Sequence, residues 1–301
     1  MAFKYFRTFL LMLALTGLML LVGELAGGRG GLMMGLVFAV ASNLIAYFFS
    51  DKIVLAMYGA KPASKEKFPD LHDMVAELAQ KANIPVPRVY IIPGPMANAF
   101  ATGRNPANAV VAVTEGIMRV LSPRELRGVL AHEISHVLHR DILISTIAAI
   151  LAGVVYTLAR IAQWGMYFGG GRRNDERGGH PLATLAVVIF APLAAMLIQM
   201  AVSRSREYEA DRGGADLCDD PLALADALVK IHQAARAVPW QPNPTTAHLL
   251  IANPLRGESL MSLFSTHPPV NKRVERLKVM AERLGLQSRK TGGPEFPKLI
   301  Y

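Results

Sequence analysis

The sequence predicts a mostly helical α+β protein with four transmembrane helices and a polar domain on the cytoplasmic side of the membrane. Of its 301 residues, 52% are hydrophobic, which is a larger share than an average soluble domain has. The excess is concentrated in four uncharged apolar runs, and the polar regions between and after them show mixed helix and strand patterns. The apolar runs are residues 8–22, 32–50, 142–159 and 182–202.

The apolar runs are close to the length of a membrane-spanning helix, because about 20 helical residues cross the hydrocarbon. The first run could be the core of a signal peptide, but it lacks a small-x-small cleavage site and a second apolar run follows at once. We therefore expect it to remain as an anchor. The predicted domains are a two-helix anchor, a first polar part, a transmembrane hairpin and a second polar part, at 1–50, 51–141, 142–202 and 203–301.

The net charge of +9 is explained by the flanks of the apolar runs and does not indicate a nucleic acid partner. Four lysines follow the second run within 52–67, while the loops 23–31 and 164–181 contain one and three arginines. Because basic residues favour the cytoplasmic side, we predict a multi-pass protein of the bacterial inner membrane with both termini cytoplasmic. Cys218 is the single cysteine, which excludes an internal disulfide and fits a reducing compartment.

The polar parts contain recognisable helices and strands, identified by their periodicity and by the turn residues between them. Ser122 has the pattern of an N-cap, followed by Pro123 at the first helical position and Glu125 at the third. The helix 123–140 is expected to run almost directly into the third span. The other predicted helices are 68–84, 115–120, 205–217, 221–237 and a basic amphipathic one near the C-terminus, and the strands are 88–92, 98–103 and 108–114.

The sequence HEISH (132–136) lies within the helix 123–140 and predicts a metal site. His132 and His136 are four residues apart, so they share one helical face at about 6 Å along the axis. Two imidazoles so placed can bind one Zn²⁺, and Glu133 can take a proton from metal-activated water. His139 lies about 10 Å along the axis from His132. We expect it to form, with Arg140 and Asp141, a polar collar where the helix meets the membrane.

A third ligand is expected after the transmembrane hairpin. His136 lies six residues before the third run and Glu207 five residues after the fourth, so antiparallel spans would bring them to similar heights. Glu209 would point away from that face, while Asp211 shares it and could orient a ligand histidine. A solvated charged helix is the alternative interpretation of REYEADR (206–212).

Four motifs, HEISH, SREYEADRGGA, NAFATG and STHPPVNKR, together resemble the M48 zinc metalloproteases, and most closely their bacterial HtpX-type membrane proteases, relatives of the Ste24 prenyl-protein proteases. The resemblance implies a zincin-like (gluzincin) domain with one zinc bound by His132, His136 and Glu207. It implies that Glu133 is the general base and acid and that Asp211 supports the site.

The resemblance also implies a substrate-binding edge strand at NAFATG and two further residues near the site. The strand residues Asn98, Ala99, Phe100, Ala101 and Thr102 would be exposed beside the zinc and would pair with an extended substrate; an ordinary sheet strand is the alternative. Replacing Phe100 with Pro is expected to block that edge. His267 and Arg273 are assigned to stabilisation of the oxyanion or the substrate.

The sequence thus favours a membrane-bound zinc endopeptidase that cleaves damaged or misfolded membrane proteins and unfolded polypeptides, as in protein quality control under stress. A Ste24-like protease for prenylated proteins is one alternative, although four runs are legible where that relative normally has seven spans. A non-catalytic scaffold or transporter with a vestigial metal site is another. The sequence leaves the oligomeric state open, a homo-oligomer included.

Overall fold

The computed structural model describes residues 2–144, 146–147, 204–237, 251 and 268–286. The predicted spans 142–159 and 182–202 lie outside these residues except for the first turn of the former, which is helical. The helices are α1 (Ala2–Met57), α2 (Pro69–Lys81), α3 (Glu115–Val120), α4 (Pro123–Leu138), α5 (Arg204–Cys218), α6 (Pro221–Ala237) and α7 (Val270–Arg283). The strands are β1 (Lys61–Pro62), β2 (Arg88–Ile92), β3 (Ala99–Thr102) and β4 (Val110–Thr114).

Helix α1 consists of two antiparallel arms that reverse direction at Gly28. The amide of Asn43 donates to Thr16 Oγ1 at 3.0 Å, although residues so far apart would be separated by about 40 Å in a straight helix. Gly28 has a φ of +55°, which glycine adopts without a steric penalty. The reversal falls in the predicted loop 23–31, between the first two apolar runs.

The second arm is the segment best suited to cross a membrane. Among the described residues, Gly28–Met57 is the one helical segment that is both long and apolar enough to cross. An 18-residue stretch of it has a mean hydropathy of 2.0, and 11% of that stretch is buried. Large apolar side chains along it, such as Met34 and Val37, are exposed. An apolar surface of this kind needs lipid or protein to cover it, so the arm supports membrane association.

The sheet has the order β1-β2-β4-β3. Strands β2 and β4 are parallel, while β1 and β3 pair antiparallel with β2 and β4 respectively. Strand β3 is therefore an edge strand within the described residues. Antiparallel pairing of Ala99 with Val113 and Ala101 with Val111 fixes which of its backbone groups face outward.

Helix α4 lies at the centre of a single core that joins both polar parts of the chain. Eleven of its 16 residues are buried, because it packs against β3 and α2 as well as α5 and α6. The predicted capping box is confirmed: Glu125 N donates to Ser122 Oγ, and Ser122 N donates to Glu125 at 2.8 Å. The metal-ligand motif is thus carried by the most buried helix described here.

The expectation that α4 runs almost directly into the third span is wrong. Arg140 has a φ of +60°, and its N–H donates to Val137 O while the Asp141 N–H donates to His136 O, both at 3.0 Å. These two bonds form a Schellman motif, which ends α4 and turns the chain before helical structure resumes at Ile142. The turn brings Asp141 back beside the last turn of α4.

Candidate metal centre and active site

The two histidines of α4 lie next to each other in the candidate site. His132 is 3% exposed, and its ring centroid lies 4.7 Å from that of His136 in an edge-to-face arrangement. This proximity follows from their spacing on one helical face. Both imidazoles therefore point into the same space beside α4.

Glu207 completes a group of three potential metal ligands. It lies in the first turn of α5, with Oε1 3.5 Å from His136 Nε2 and Oε2 3.9 Å from His132 Nε2. One donor atom from each residue lies within 4.8 Å of the others, and no other such group occurs in the part of the chain described. Glu209 is exposed on the other side of α5, as the sequence predicts.

Two adjacent glycines allow α5 to approach α4 at this point. A Cβ added to Gly214 would lie 2.7 Å from the backbone N and 2.8 Å from the Cα of His132. A Cβ added to Gly213 would meet the side chain of Ser135. The sequence analysis did not assign these glycines, although their pairing just after the predicted third ligand was visible.

Asp211 lies one turn after Glu207, with Oδ1 3.1 Å from His132 Nδ1. A carboxylate there fixes the ring orientation that leaves Nε2 facing Glu207 and His136. Burial would raise the pKa of Asp211, but the Arg273 guanidinium and His132 outweigh burial and hold it at about 2. Asp211 is therefore a fixed negative charge behind His132.

Arg273, on α7, is fully buried and bound to the same carboxylate. Its Nε and Nη2 donate to the two oxygens of Asp211 at 2.8 and 2.6 Å, and Nη1 lies 3.7 Å from Glu207 Oε2. These contacts make Arg273 a residue that positions Glu207 and Asp211. Its contact with substrate or oxyanion stays a prediction, and His267 lies outside the described residues.

The carboxylate of Glu133 lies beside β3. Its Oε2 accepts from the Ala101 N–H at 2.8 Å, which holds the carboxylate beside the edge strand and leaves Oε1 for another proton donor. Burial raises the pKa of Glu133, while His132 and His136 act in the opposite direction. A raised pKa suits a carboxylate that must both take and return a proton.

Strand β3 presents alternate backbone groups to its free edge. Since Thr114 N donates to Asn98 O at 3.0 Å, alternation directs Asn98, Phe100 and Thr102 towards β4 and directs Ala99 and Ala101 outward. The choice of Phe100 for a proline substitution is therefore wrong, because its N–H belongs to the pair with β4. Ala99 is the position at which a proline would remove an N–H from the outer edge.

The prediction that residues 98–102 are exposed is also wrong: all five are buried. One face of the strand packs on the core that contains α4, and on the other the Phe100 ring lies 5.0 Å from that of Tyr58 at the end of α1. Edge position and side-chain burial coexist here because helices cover both faces. A partner could therefore reach this strand only along its edge.

Asn98 and Ile251 connect the edge strand to Arg273. The side-chain oxygen of Asn98 accepts from Ile251 N at 3.0 Å, and Ile251 O accepts from Arg273 Nη1 at 3.3 Å. The sequence analysis assigned Asn98 to substrate binding and gave Ile251 no role. The buried amide of Asn98 therefore holds Ile251 beside Arg273.

His139 and Asp141, both assigned to a polar collar, differ in the structure. His139 Nδ1 lies 3.2 Å from Ser135 Oγ, and His139 is not part of the ligand group. Asp141 is 5% exposed, and its Oδ2 lies 3.7 Å from His136 Nδ1. Burial would lower the pKa of His136, but the carboxylates of Asp141 and Glu207 raise it to about 10.

The donor set fits a divalent metal ion. Two imidazole nitrogens and one carboxylate, with room for water, are the usual ligands of a catalytic zinc, and their separations of 3.5 and 3.9 Å are near those of a tetrahedral shell. The carboxylates of Glu133, Glu207, Asp211 and Asp141 are all buried, and the buried Arg273 guanidinium contacts two of them, Asp211 and Glu207. An added cation would balance the remaining negative charge. Two histidines four residues apart on a helix, with a glutamate beside the first, are a metallopeptidase signature.

The chain belongs to peptidase family M48. The sequence model of that family, "Peptidase family M48", matches residues 65–281. This range includes HEISH, Glu207 and Arg273. The chain is accordingly a metalloprotease, and its residues His132, His136 and Glu207 offer the metal site that such an enzyme requires.

Curated relatives share more than half of their residues with this chain. A "Protease HtpX homolog" of Persephonella marina is 54% identical over 93% of this chain and 98% of its own length. Proteins of the same name from Syntrophobacter fumaroxidans and Pyrococcus furiosus are 55% and 51% identical, over 91% and 93% of this chain and 99% and 97% of their own lengths.

A solved structure has a similar fold. The crystal structure of Ste24p from S. mikatae gives a TM-score of 0.51 at 17% identity, over 92% of this chain and 66% of that chain. At this identity the likeness concerns the fold alone. The predicted resemblance to M48 metalloproteases of the HtpX type is thus confirmed by the relatives, and a mostly helical α+β fold similar to that of Ste24p by the structural neighbour. The four transmembrane helices stay a prediction.

Proposed function

We propose that the protein is a membrane-bound zinc endopeptidase that cleaves damaged or misfolded membrane proteins and unfolded polypeptides at the cytoplasmic side of the bacterial inner membrane. The observation that carries the proposal is the convergence of His132, His136 and Glu207 next to Glu133 and the edge of β3. Two imidazoles and a glutamate form a donor set of hydrolytic zinc sites, and a glutamate next to the first histidine is the base that such sites use. When bound, it would activate a water molecule and polarise the scissile carbonyl.

In this proposal the residues of the chain divide the work of hydrolysis. His132, His136 and Glu207 hold the metal, and Asp211 fixes the ring of His132. Glu133 takes a proton from the attacking water at Oε1, because Oε2 already accepts from Ala101. The same carboxyl then passes the proton to the leaving amine nitrogen.

The outer edge of β3 is proposed to bind the substrate backbone. The Ala101 N–H already donates to Glu133, so an extended peptide would pair with the outward groups of Ala99 and the outward carbonyl of Ala101. It would gain affinity from main-chain hydrogen bonds, which require no particular side chain. The Glu133–Ala101 bond supports this placement, because it puts the general base within one hydrogen bond of the strand. Broad cleavage of unfolded segments is the expected specificity.

The cytoplasmic orientation rests on charge and on the membrane arm. Lysines cluster after the second arm within 52–67, and Lys52 lies 5.3 Å over the Phe49 ring. Basic and aromatic residues together are typical of a membrane interface on the cytoplasmic side. The catalytic residues follow this interface along the chain and would therefore face the cytoplasm.

Replacement of Glu133 with Gln tests the proposal. The full-length protein in detergent should cleave casein with one zinc bound per chain, and Glu133→Gln should keep the zinc and lose the activity, since an amide cannot accept the proton. Near-normal turnover of this variant would remove Glu133 from the mechanism. Cleavage of a prenylated C-terminal peptide in place of casein would favour the Ste24-like alternative.

A further inference from the structure

The structure assigns Asp141 as the carboxylate that positions the metal-binding ring of His136. Its Oδ2 lies 3.7 Å from His136 Nδ1, and its side chain is 6% exposed. The assignment rests on the proposed role of His136 as a ligand of the metal. Asp141 would act through His136 and would not touch the metal itself.

The backbone at the end of α4 explains how Asp141 reaches this place. Arg140 is held in the left-handed region at φ +60°, a conformation that is unfavourable for a residue with a side chain. In return, Asp141 N–H bonds to the carbonyl of His136 itself at 3.0 Å. This backbone bond holds Asp141 next to His136, and the Asp141 carboxylate faces the ring of the same residue.

The two histidines then have matching environments. His132 Nδ1 lies 3.1 Å from Asp211, and His136 Nδ1 lies 3.7 Å from Asp141, while both Nε2 atoms face Glu207. Ligand histidines almost always give their second N–H to a carboxylate, a carbonyl or water, which fixes the ring and raises its basicity. At 3.7 Å the Asp141–His136 pair is a charge contact and is longer than a hydrogen bond. Asp141 is the carboxylate placed to become this partner of His136, where sequence spacing alone indicates a membrane collar.

A structural role for Asp141 must be separated from the positioning role. It stands immediately before the helical residues that begin at Ile142, where Asp, Asn and Ser are all favoured as N-caps. Asp141→Asn and Asp141→Ser preserve that preference, but neither places a negative charge beside His136. Serine is also too short to reach the ring.

The test compares zinc affinity with the stability of the metal-free protein. Full-length Asp141→Ser and Asp141→Asn proteins would be titrated with zinc against a chelator, with Asp216→Asn on the exposed side of α5 as matched control. We expect Asp141→Ser to bind zinc about 10- to 100-fold more weakly and Asp141→Asn to bind it with intermediate affinity. The melting temperature of each metal-free variant should stay near that of the unaltered protein.

Equal zinc affinity of all three variants would overturn the assignment, as would a loss that is matched by a lower melting temperature of the metal-free protein. His136→Ala, measured in parallel, separates this outcome from failure of the proposed function. If His136→Ala still binds zinc, the ligand set is wrong. If His136→Ala loses zinc while Asp141→Ser keeps it, only the role of Asp141 is wrong.

Discussion

Gly214 controls the distance between the two helices that supply the metal ligands, so Gly214→Ala should weaken metal binding. The added Cβ would lie 2.7 Å from His132 N and 2.8 Å from its Cα. Ordinary contact begins at 3.4 Å, so α5 or α4 would have to move by about 0.7 Å. Both contacts are with backbone, which cannot rotate away as a side chain can.

A shift of this size is large compared with the tolerance of a metal site, where distances vary by about 0.2 Å. Glu207 lies on the displaced helix and would move away from one or both histidines. Overpacking costs about 1–3 kcal/mol, and the gain of up to about 1 kcal/mol from replacing glycine in a helix offsets part of it. We expect a net loss of about 1–2 kcal/mol and at least tenfold weaker zinc binding.

Gly213→Ala is the matched control, because it introduces the same methyl group one residue earlier. There the new Cβ meets the side chain of Ser135, with His139 Cε1 at 3.4 Å, and side chains can move aside. Chemical denaturation and zinc competition would be measured for both variants. Equal zinc affinity of the two variants would refute the argument that the Gly214 contact sets the ligand distance.

Two other substitutions test the buried charges and the edge strand. Arg273→Met leaves Asp211 without its charge partner in a buried site, so the free energy of unfolding should fall by about 3–5 kcal/mol in urea denaturation; a loss below about 1 kcal/mol would make the pair dispensable. Ala99→Pro removes an outward N–H and should lower casein turnover with zinc retained. Because Ala99 is buried, the proline ring should also cost some stability, but less than Phe100→Pro, which in addition removes a bond to β4. Full turnover by a folded Ala99→Pro protein would contradict substrate pairing at this edge.

Most helices and strands of the polar parts could be predicted from the sequence because their signals are local. Strand 88–92 and helix 115–120 have the predicted bounds, and the capping box of α4 was legible from Ser122 and Glu125. Periodicity, turn residues and caps each act within a few positions of the chain. The two-residue strand β1 carries no such signal and was missed, because it exists only through pairing with β2.

The ligand set was accessible to the same local reasoning, with one long-range step. Helical spacing placed His132 and His136 on one face, and the assumed hairpin geometry brought Glu207 to their height. Asp211 beside His132 was accessible in the same way, because it lies one helical turn after Glu207. The contacts of Asp141 and Arg273 were not. The ion pair of Arg273 and Asp211 joins residues 62 positions apart. Nothing in the sequence around either residue shows which carboxylate the buried arginine contacts.

The errors about β3 and Asp141 have a common physical origin. Each arose from extending one regular element to its neighbour: a free edge was equated with exposed side chains, and a helix was continued through Arg140. Burial of β3 depends on α1 and α4 packing against its two faces, and the end of α4 depends on one residue with positive φ. Neither is a periodic property, so hydrophobic patterning does not record it.

The candidate metal centre of this protein lies within its hydrophobic core and not on its surface. His132 and Glu133 lie on the buried helix α4, between core residues Ala131 and Ile134 that are fully buried. Packing that positions α4 against α5 therefore also sets the distances between metal ligands. Because interiors are dense and respond to changes as small as one methylene, substitutions well away from the metal should alter its affinity, and those at the glycine contact should do so most.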